Sequence, residues 1–190
     1  MKGDKAAFRR CLKALEREIT EDQRLASDKA LQQNLLCHAE LECAHTVLLY
    51  LSMGAEPDTG PIAEELLRRG KTVLMPRCLP ERGMEARLYD PARLARHRYG
   101  MLEPDITCPV YDRSRIDLIL VPALCYDRAC SRMGRGGGYY DRYLKGYVGR
   151  TIGLCRDILL QDSLPTEAWD QAVECVITET EVLTRKRSAD

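Results

Sequence analysis

Arg132, Arg135 and Asp141, with the glycines between them, have the types and spacing that could do chemistry in this chain. The stretch reads RMGRGGGYYDRYL, with four glycines in five residues followed at once by two tyrosines and an aspartate. Glycine lets backbone N–H groups approach phosphate oxygens closely. A helix N-terminus behind the loop adds a partial positive charge, and the two arginines add whole ones. Asp141, at the start of that helix, suits Mg²⁺, which takes one or two carboxylates together with phosphate oxygens and water. Taken alone, the same residues also fit a flexible turn and a carboxylate facing its own helix dipole. Neither established phosphate motif is present. No Lys-Ser or Lys-Thr follows the loop, and Tyr139 stands where the third glycine of G-x-G-x-x-G would be.

Basic charge gathers around this loop. Residues 128–150 hold Arg128, Arg132, Arg135, Arg142, Lys145 and Arg150 against Asp141 alone. Over the whole chain, Lys+Arg and Asp+Glu are 29 each, so the formal charge is zero and a general nucleic-acid binder is disfavoured. Hydrophobic residues make up 45% and charged residues 31% of 190, the composition and length of one globular domain spanning 1–190. MKGDKAAFRR has no apolar signal core, and the longest apolar run, Leu118 to Cys125, is too short to span a bilayer. The expectation is a cytoplasmic protein with no membrane partner. Nine cysteines lie far apart with no C-x-x-C pair, as reduced thiols used as small hydrophobes would. His38, His45 and His97 are scattered and are not expected to ligate a metal.

The elements that must position the loop can be read from periodicity. Residues 4–19 predict a helix with Ala7, Cys11, Leu12, Leu15 and Ile19 on one face and Lys5, Arg9 and Lys13 on another. Thr20 and Gln23 have capping-box spacing, so a second helix runs through Leu36 and the two make a helical hairpin. TVLLYLS from Thr46 predicts a buried strand. Asp58 or Thr59 caps a helix through Arg69, ended by Gly70. Strands are expected at Lys71–Met75, Glu85–Tyr89, Ile116–Val121, Thr151–Cys155 and finally Val173–Thr178. Helices are expected at Pro91–His97 and Tyr139–Tyr147, and loops at Leu79–Gly83 and Pro104–Ser114. Alternating strands and helices argue for a mostly parallel central sheet flanked by helices. The glycine loop then leaves the carboxyl end of a strand, where open α/β sheets bind ligands.

The segment DLILVPALCYDRACSRMGRGGGYYDRYL resembles the signature region of the 5-formyltetrahydrofolate cyclo-ligase (methenyltetrahydrofolate synthetase) family. Lys5 and Arg9 match that family's Lys-x-x-x-Arg helix. YLSMGAEPDT, GKTVLMPR, YGMLEP, LPTEAWD and ECVITE match further segments in order, over nearly the whole chain. The resemblance implies ATP- and Mg²⁺-dependent closure of 5-formyltetrahydrofolate to 5,10-methenyltetrahydrofolate, with ADP and phosphate released. It places Lys5, Arg9, Arg132, Met133, Gly134, Arg135, Gly136, Gly137, Gly138, Tyr139 and Tyr140 on ATP. It places Leu51, Glu56, Arg135, Gly136, Gly137, Gly138, Tyr139 and Tyr140 on the folate, and Asp141 and Asp170 on Mg²⁺. It implies action on small molecules, and the chain is expected to be a monomer.

One position departs from the family. A glycine usually stands two residues before the arginine, and here Cys130 does. If that turn needs φ > 0, cysteine strains it by roughly 1 kcal/mol. Two other readings fit the residues. One is a related ATP-dependent enzyme acting on another formylated or carboxylated small molecule, which Glu56, as a pterin-pocket residue, argues against. The other is a binding module without turnover, which the full set of Lys5, Arg9, Arg132 and Asp141 argues against.

Overall fold

The computed structural model describes residues 4–97 and 100–185. The first helix, α1 (Lys5–Glu18), is capped by Asp4, whose carboxylate accepts the Ala6 N–H at 2.9 Å. Only Ile19 and Thr20 separate it from α2 (Glu21–Leu36), where the Thr20–Gln23 capping box forms in both directions. A short α3 (Ala39–Cys43) leads into strand β1 (Thr46–Leu48). Helix α4 (Gly60–Arg68) follows. Asp58, not Thr59, supplies its side-chain cap by accepting Gly60 N–H at 3.0 Å, because the Thr59 hydroxyl is committed to the Tyr50 carbonyl. Then come β2 (Thr72–Cys78), β3 (Met84–Leu88), β4 (Leu94–Arg96), β5 (Leu102–Pro104), β6 (Val110–Tyr111), β7 (Leu118–Val121), β8 (Cys125–Tyr126) and β9 (Arg132–Met133). Helix α5 (Tyr139–Leu144) and strands β10 (Arg150–Leu154), β11 (Cys175–Ile177) and β12 (Val182–Thr184) complete the chain.

The main sheet has eight strands in the order β12-β11-β10-β7-β1-β2-β3-β6. The five from β11 to β2 are parallel, and β12, β3 and β6 add antiparallel edges. Both faces are apolar, as a helix-covered parallel sheet requires. In β7, Leu118 and Leu120 join one core with Val47, Leu49 and Ile62, while Ile119 and Val121 join the other with Leu12, Leu124 and Tyr126. All four β7 side chains are fully buried, and each such residue stabilises the fold by roughly 2 kcal/mol.

Four expected elements need correction. Pro91–His97 is not a helix. Asp90 closes a single turn by accepting the Ala92 and Arg93 N–H groups, and Leu94–Arg96 then pairs antiparallel with Leu102–Pro104. One turn fixes several dihedrals for one bond and propagates only when more turns follow. The stretch Pro104–Ser114 is not all loop, since β6 adds to the sheet edge there. The strand at Val173–Thr178 is not last, because β12 pairs with it. The final helix is also shorter than expected, ending at Leu144 before Gly146 at φ 70°.

Gly153 sits in β10 under the Tyr126 ring. A Cβ there would lie 2.3 Å from Tyr126 Cζ, and Tyr126 is fully buried. Gly153→Ala is therefore expected to destabilise the protein by about 3 kcal/mol in urea unfolding. A change under 1 kcal/mol would show that this contact is loose.

Candidate active site

Three segments leave the carboxyl ends of adjacent parallel strands. Residues 49–59 follow β1, residues 122–138 follow β7, and residues 155–161 follow β10. From β1 the chain crosses to β2 on one side, and later places β7 on the other. Such a reversal opens a crevice between the two strand ends. Glu56, after β1, and Arg135, after β7, pair across it, Nε to Oε1 at 2.9 Å. Arg135 also donates to the Met53 carbonyl at 2.8 Å, and Glu56 Oε2 accepts the Met53 N–H at 2.9 Å. Burial pushes the Glu56 carboxyl upward, and Arg135 pulls it partly back. Leu51 packs its half-buried side chain on the core beside this loop.

The glycine loop is cradled by α1. Arg9 Nε donates to the Gly134 carbonyl at 2.8 Å, and its guanidinium lies 3.6 Å from where a Cβ on Gly136 would be. Gly136 has φ 97°, and Gly138, the N-cap of α5, has φ 69°. Both need glycine. Met133 turns its side chain into the core, so it shapes the loop through its backbone. Arg132 donates to Asp141 Oδ1 at 2.5 Å and to the Pro122 carbonyl at 3.2 Å, and lies 5.9 Å from the Tyr140 ring. Its Nε and the Tyr140 hydroxyl are buried polar atoms with no protein partner. Burial holds the Tyr140 phenol protonated, far above its ordinary value. Tyr139, with Arg82, Tyr111, Arg113, Arg142 and Tyr143, lines an adjoining open cleft of about 410 Å³.

Lys5 reaches from the start of α1 to Glu167 at 2.7 Å and Asp170 at 2.6 Å. Burial works against its charge, but the bonds to Asp170 and Glu167 outweigh that and hold its pKa above the usual lysine value. The next residue, Gln171, donates its N–H to Asp141 Oδ1 at 3.3 Å. The backbone next to Asp170 thus reaches Asp141 although the two are far apart in sequence. Two carboxylates with only oxygen donors suit Mg²⁺ and fit poorly with a softer ion. Asp141 pairs with Arg132, and Asp170 with Lys5.

Several contributors were not visible in the sequence. Arg156 is 1% exposed and pairs with buried Asp28 of α2 at 2.7 Å. It also donates to the Ala55, Glu56 and Arg24 carbonyls, and Asp28 accepts the Asp58 N–H at 3.1 Å. This pair fixes the loop that presents Glu56. A buried ion pair that loses one member leaves an uncompensated charge. Asp28→Ala is expected to cost about 3 kcal/mol in thermal or urea unfolding. The double variant Asp28→Leu/Arg156→Met should cost clearly less than the sum of the two single changes. Additive losses would show that the pair does not act as a unit.

The Cys130 departure takes the strained form. Its φ is 62°, its N–H closes a turn onto the Asp127 carbonyl at 2.9 Å, and its side chain is fully buried. Burial of the thiol offsets the backbone strain. Cys130→Gly should therefore unfold about 1 kcal/mol less readily than Cys130→Ala, the reverse of their usual order. Equal stabilities would place no strain at this turn. Burial pushes the Cys130 thiol up to about 11 and the Cys155 thiol up to about 12, so both stay protonated and unreactive. Among the described residues no disulfide forms, and five of the nine cysteines are buried.

The fold and these charges define an α/β protein whose crevice at the strand ends is lined by cations and carboxylates. Comparison with known proteins narrows that class. The sequence profile of the 5-formyltetrahydrofolate cyclo-ligase family matches residues 1–179, and the chain belongs to that family. It is 30% identical over 173 residues to the 5-formyltetrahydrofolate cyclo-ligase of Escherichia coli (strain K12), covering 87% of this chain and 95% of that protein. It is 34% identical over 141 residues to the one from Mycolicibacterium smegmatis, covering 70% and 73%. The NMR structure of Aquifex aeolicus 5,10-methenyltetrahydrofolate synthetase matches with a TM-score of 0.86 at 27% identity, over 98% of this chain and 96% of that one. The chain is thus an enzyme of the ligase class.

Proposed function

We propose that this protein closes 5-formyltetrahydrofolate to 5,10-methenyltetrahydrofolate at the expense of ATP, releasing ADP and phosphate. The observation that carries the reading is the Arg135–Glu56 pair, which ties the glycine loop to a buried carboxylate across the crevice. One side of the pair offers phosphate donors, and the other an acceptor for the N–H edge of a pterin.

A formamide oxygen is a poor leaving group. Transfer of the γ-phosphoryl group to that oxygen gives an iminium phosphate. The N10 amine then bonds to the formyl carbon and gives up its proton, and the C–O bond breaks with loss of phosphate. Phosphoryl transfer asks for alignment and charge neutralisation and needs no protein nucleophile. Lys5, Arg9 and Arg132 would hold phosphate oxygens with the backbone of Gly134, Arg135, Gly136, Gly137 and Gly138. Met133 sets the loop's start. Tyr139 and Tyr140 would wall the junction with the folate, which Leu51, Glu56 and Arg135 would hold. Asp141 and Asp170 would hold Mg²⁺, which supplies charge neutralisation at the phosphates. The buried Arg132 Nε and Tyr140 hydroxyl lack a protein partner, and buried polar groups rarely go without one, which supports a polar ligand at this end of the loop. We read the protein as a cytoplasmic monomer with small-molecule partners and neither nucleic acid nor membrane. No helix among the described residues is long and apolar enough to cross a membrane.

The test is to mix purified protein with MgATP and 5-formyltetrahydrofolate and follow methenyl absorbance and phosphate release together. One phosphate per methenyl product, with no product when ATP is omitted, is expected. ATP binding without folate turnover would leave the nucleotide site and remove the folate assignment.

A further inference from the structure

The β4–β5 hairpin forms a two-stranded sheet of its own, with three residues in each strand. Isolated two-stranded hairpins are marginal in water, so something must hold this one. Glu103 of β5 is 5% exposed and points at the end of β2. Its Oε1 meets Arg77 Nη1 at 3.1 Å, and its Oε2 accepts the Cys78 N–H at 3.1 Å. Arg77 also donates to the Pro104 carbonyl at 2.5 Å. At the other end of the hairpin, the His97 N–H donates to the Met101 carbonyl and the Gly100 N–H to the His97 carbonyl, each at 2.8 Å. The outcome is that a thiol, an imidazole and a carboxylate from Cys78, His97 and Glu103 lie within 4.8 Å of one another.

We propose that Cys78, His97 and Glu103 form a site for a divalent transition-metal ion of the zinc class, separate from the carboxylates assigned to Mg²⁺. A thiolate and an imidazole select a borderline-soft ion, whereas Mg²⁺ and Ca²⁺ take oxygen. Three protein ligands leave the fourth tetrahedral position to water or an exogenous ligand. An ionised carboxylate has about four lone-pair positions, so the two bonds to Glu103 leave room for a metal. Arg77 and the Cys78 amide then act as the outer partners that aim the carboxylate, an arrangement common around metal ligands. Zinc bonds of about 2.0–2.3 Å put ligand atoms roughly 3.5 Å apart, so the cluster must contract by about 1 Å. The Cys78 and His97 side chains are both half-buried rather than packed in the core. One ligand comes from β2 and two from the hairpin arms, so the ion would pin the hairpin to the main sheet. Cys78 also opens the segment to Arg82 and Met84, which line the cleft beside Tyr139.

The test uses the reduced, chelator-stripped full chain titrated with Zn²⁺ against a chromophoric chelator, and with Co²⁺ for absorption. We expect one equivalent bound, with thiolate charge-transfer and tetrahedral visible bands for Co²⁺. Cys78→Ser and His97→Ala should each weaken Zn²⁺ binding on the order of 100-fold, and Glu103→Gln on the order of tenfold. Zn²⁺ should slow amide exchange over residues 94–97 and 100–104 in the parent protein and not in Cys78→Ser, a readout that also reports whether each variant is folded. Absent stoichiometric binding would overturn the site. So would binding that survives Cys78→Ser, which would place the ion on other thiols such as exposed Cys11, Cys37 or Cys43. None of these readouts depends on catalytic turnover.

Discussion

Asp141→Ala is expected to lower kcat on the order of 10³-fold at saturating ATP and folate. Asp141 fixes Arg132 at 2.5 Å and receives the Gln171 N–H, so it organises a cation of the glycine loop as well as facing the proposed metal. Losing it removes charge neutralisation where the transferring phosphoryl group needs it, in a step that relies on little else. Asp141→Asn keeps the shape and one acceptor, and it should retain the fold while losing nearly as much rate. Steady-state kinetics over a Mg²⁺ titration checks both variants. Retention of more than a tenth of the parent kcat at saturating Mg²⁺ would remove Asp141 from the metal site.

The second large effect belongs to Glu56. Glu56→Ala is expected to lower kcat/KM for the folate by about 100-fold, because a hydrogen bond to a charged group contributes about 1.5–3 kcal/mol and Arg135 is left without its partner. ATP binding, measured by calorimetry, should change by no more than a few-fold. A loss of ATP affinity equal to the loss for folate would place Glu56 at the nucleotide instead. The pH dependence carries a sign. Burial raises the Glu56 pKa, so its protonated, poorly accepting form appears at a pH above the ordinary glutamate range. The folate KM should therefore rise as pH falls through that raised pKa. In Arg135→Met the limb should move to still higher pH, since Arg135 is the group that favours the charged form.

Much of this was legible in the chain because local physics and tertiary context agree. The Thr20–Gln23 capping box, the buried run at Leu118–Val121 and the helix start at Tyr139 all form where their patterns place them. Cys130 was readable in the same way, since a position that usually holds glycine takes positive φ here too. Where the reading failed, the deciding contacts are distant in sequence or the elements very short. The Pro91–His97 pattern became a hairpin because β5 was there to pair with, and β8, β9 and β12 are strands of two or three residues. Arg156 and Asp28 are 128 residues apart, so nothing near either one signals their pairing. His97 looks isolated until β4 and β5 fold back and bring it to Cys78 and Glu103.

The most direct measurement of the central claim uses 5-formyltetrahydrofolate labelled with ¹⁸O in the formyl group. After MgATP-driven turnover in unlabelled water, the released phosphate is analysed by mass spectrometry. If the γ-phosphoryl group is transferred to the formyl oxygen, each phosphate carries the label. Unlabelled phosphate with full methenyl formation would mean that ATP is hydrolysed separately from oxygen loss, and it would contradict the account of what the glycine loop and its cations are built to do.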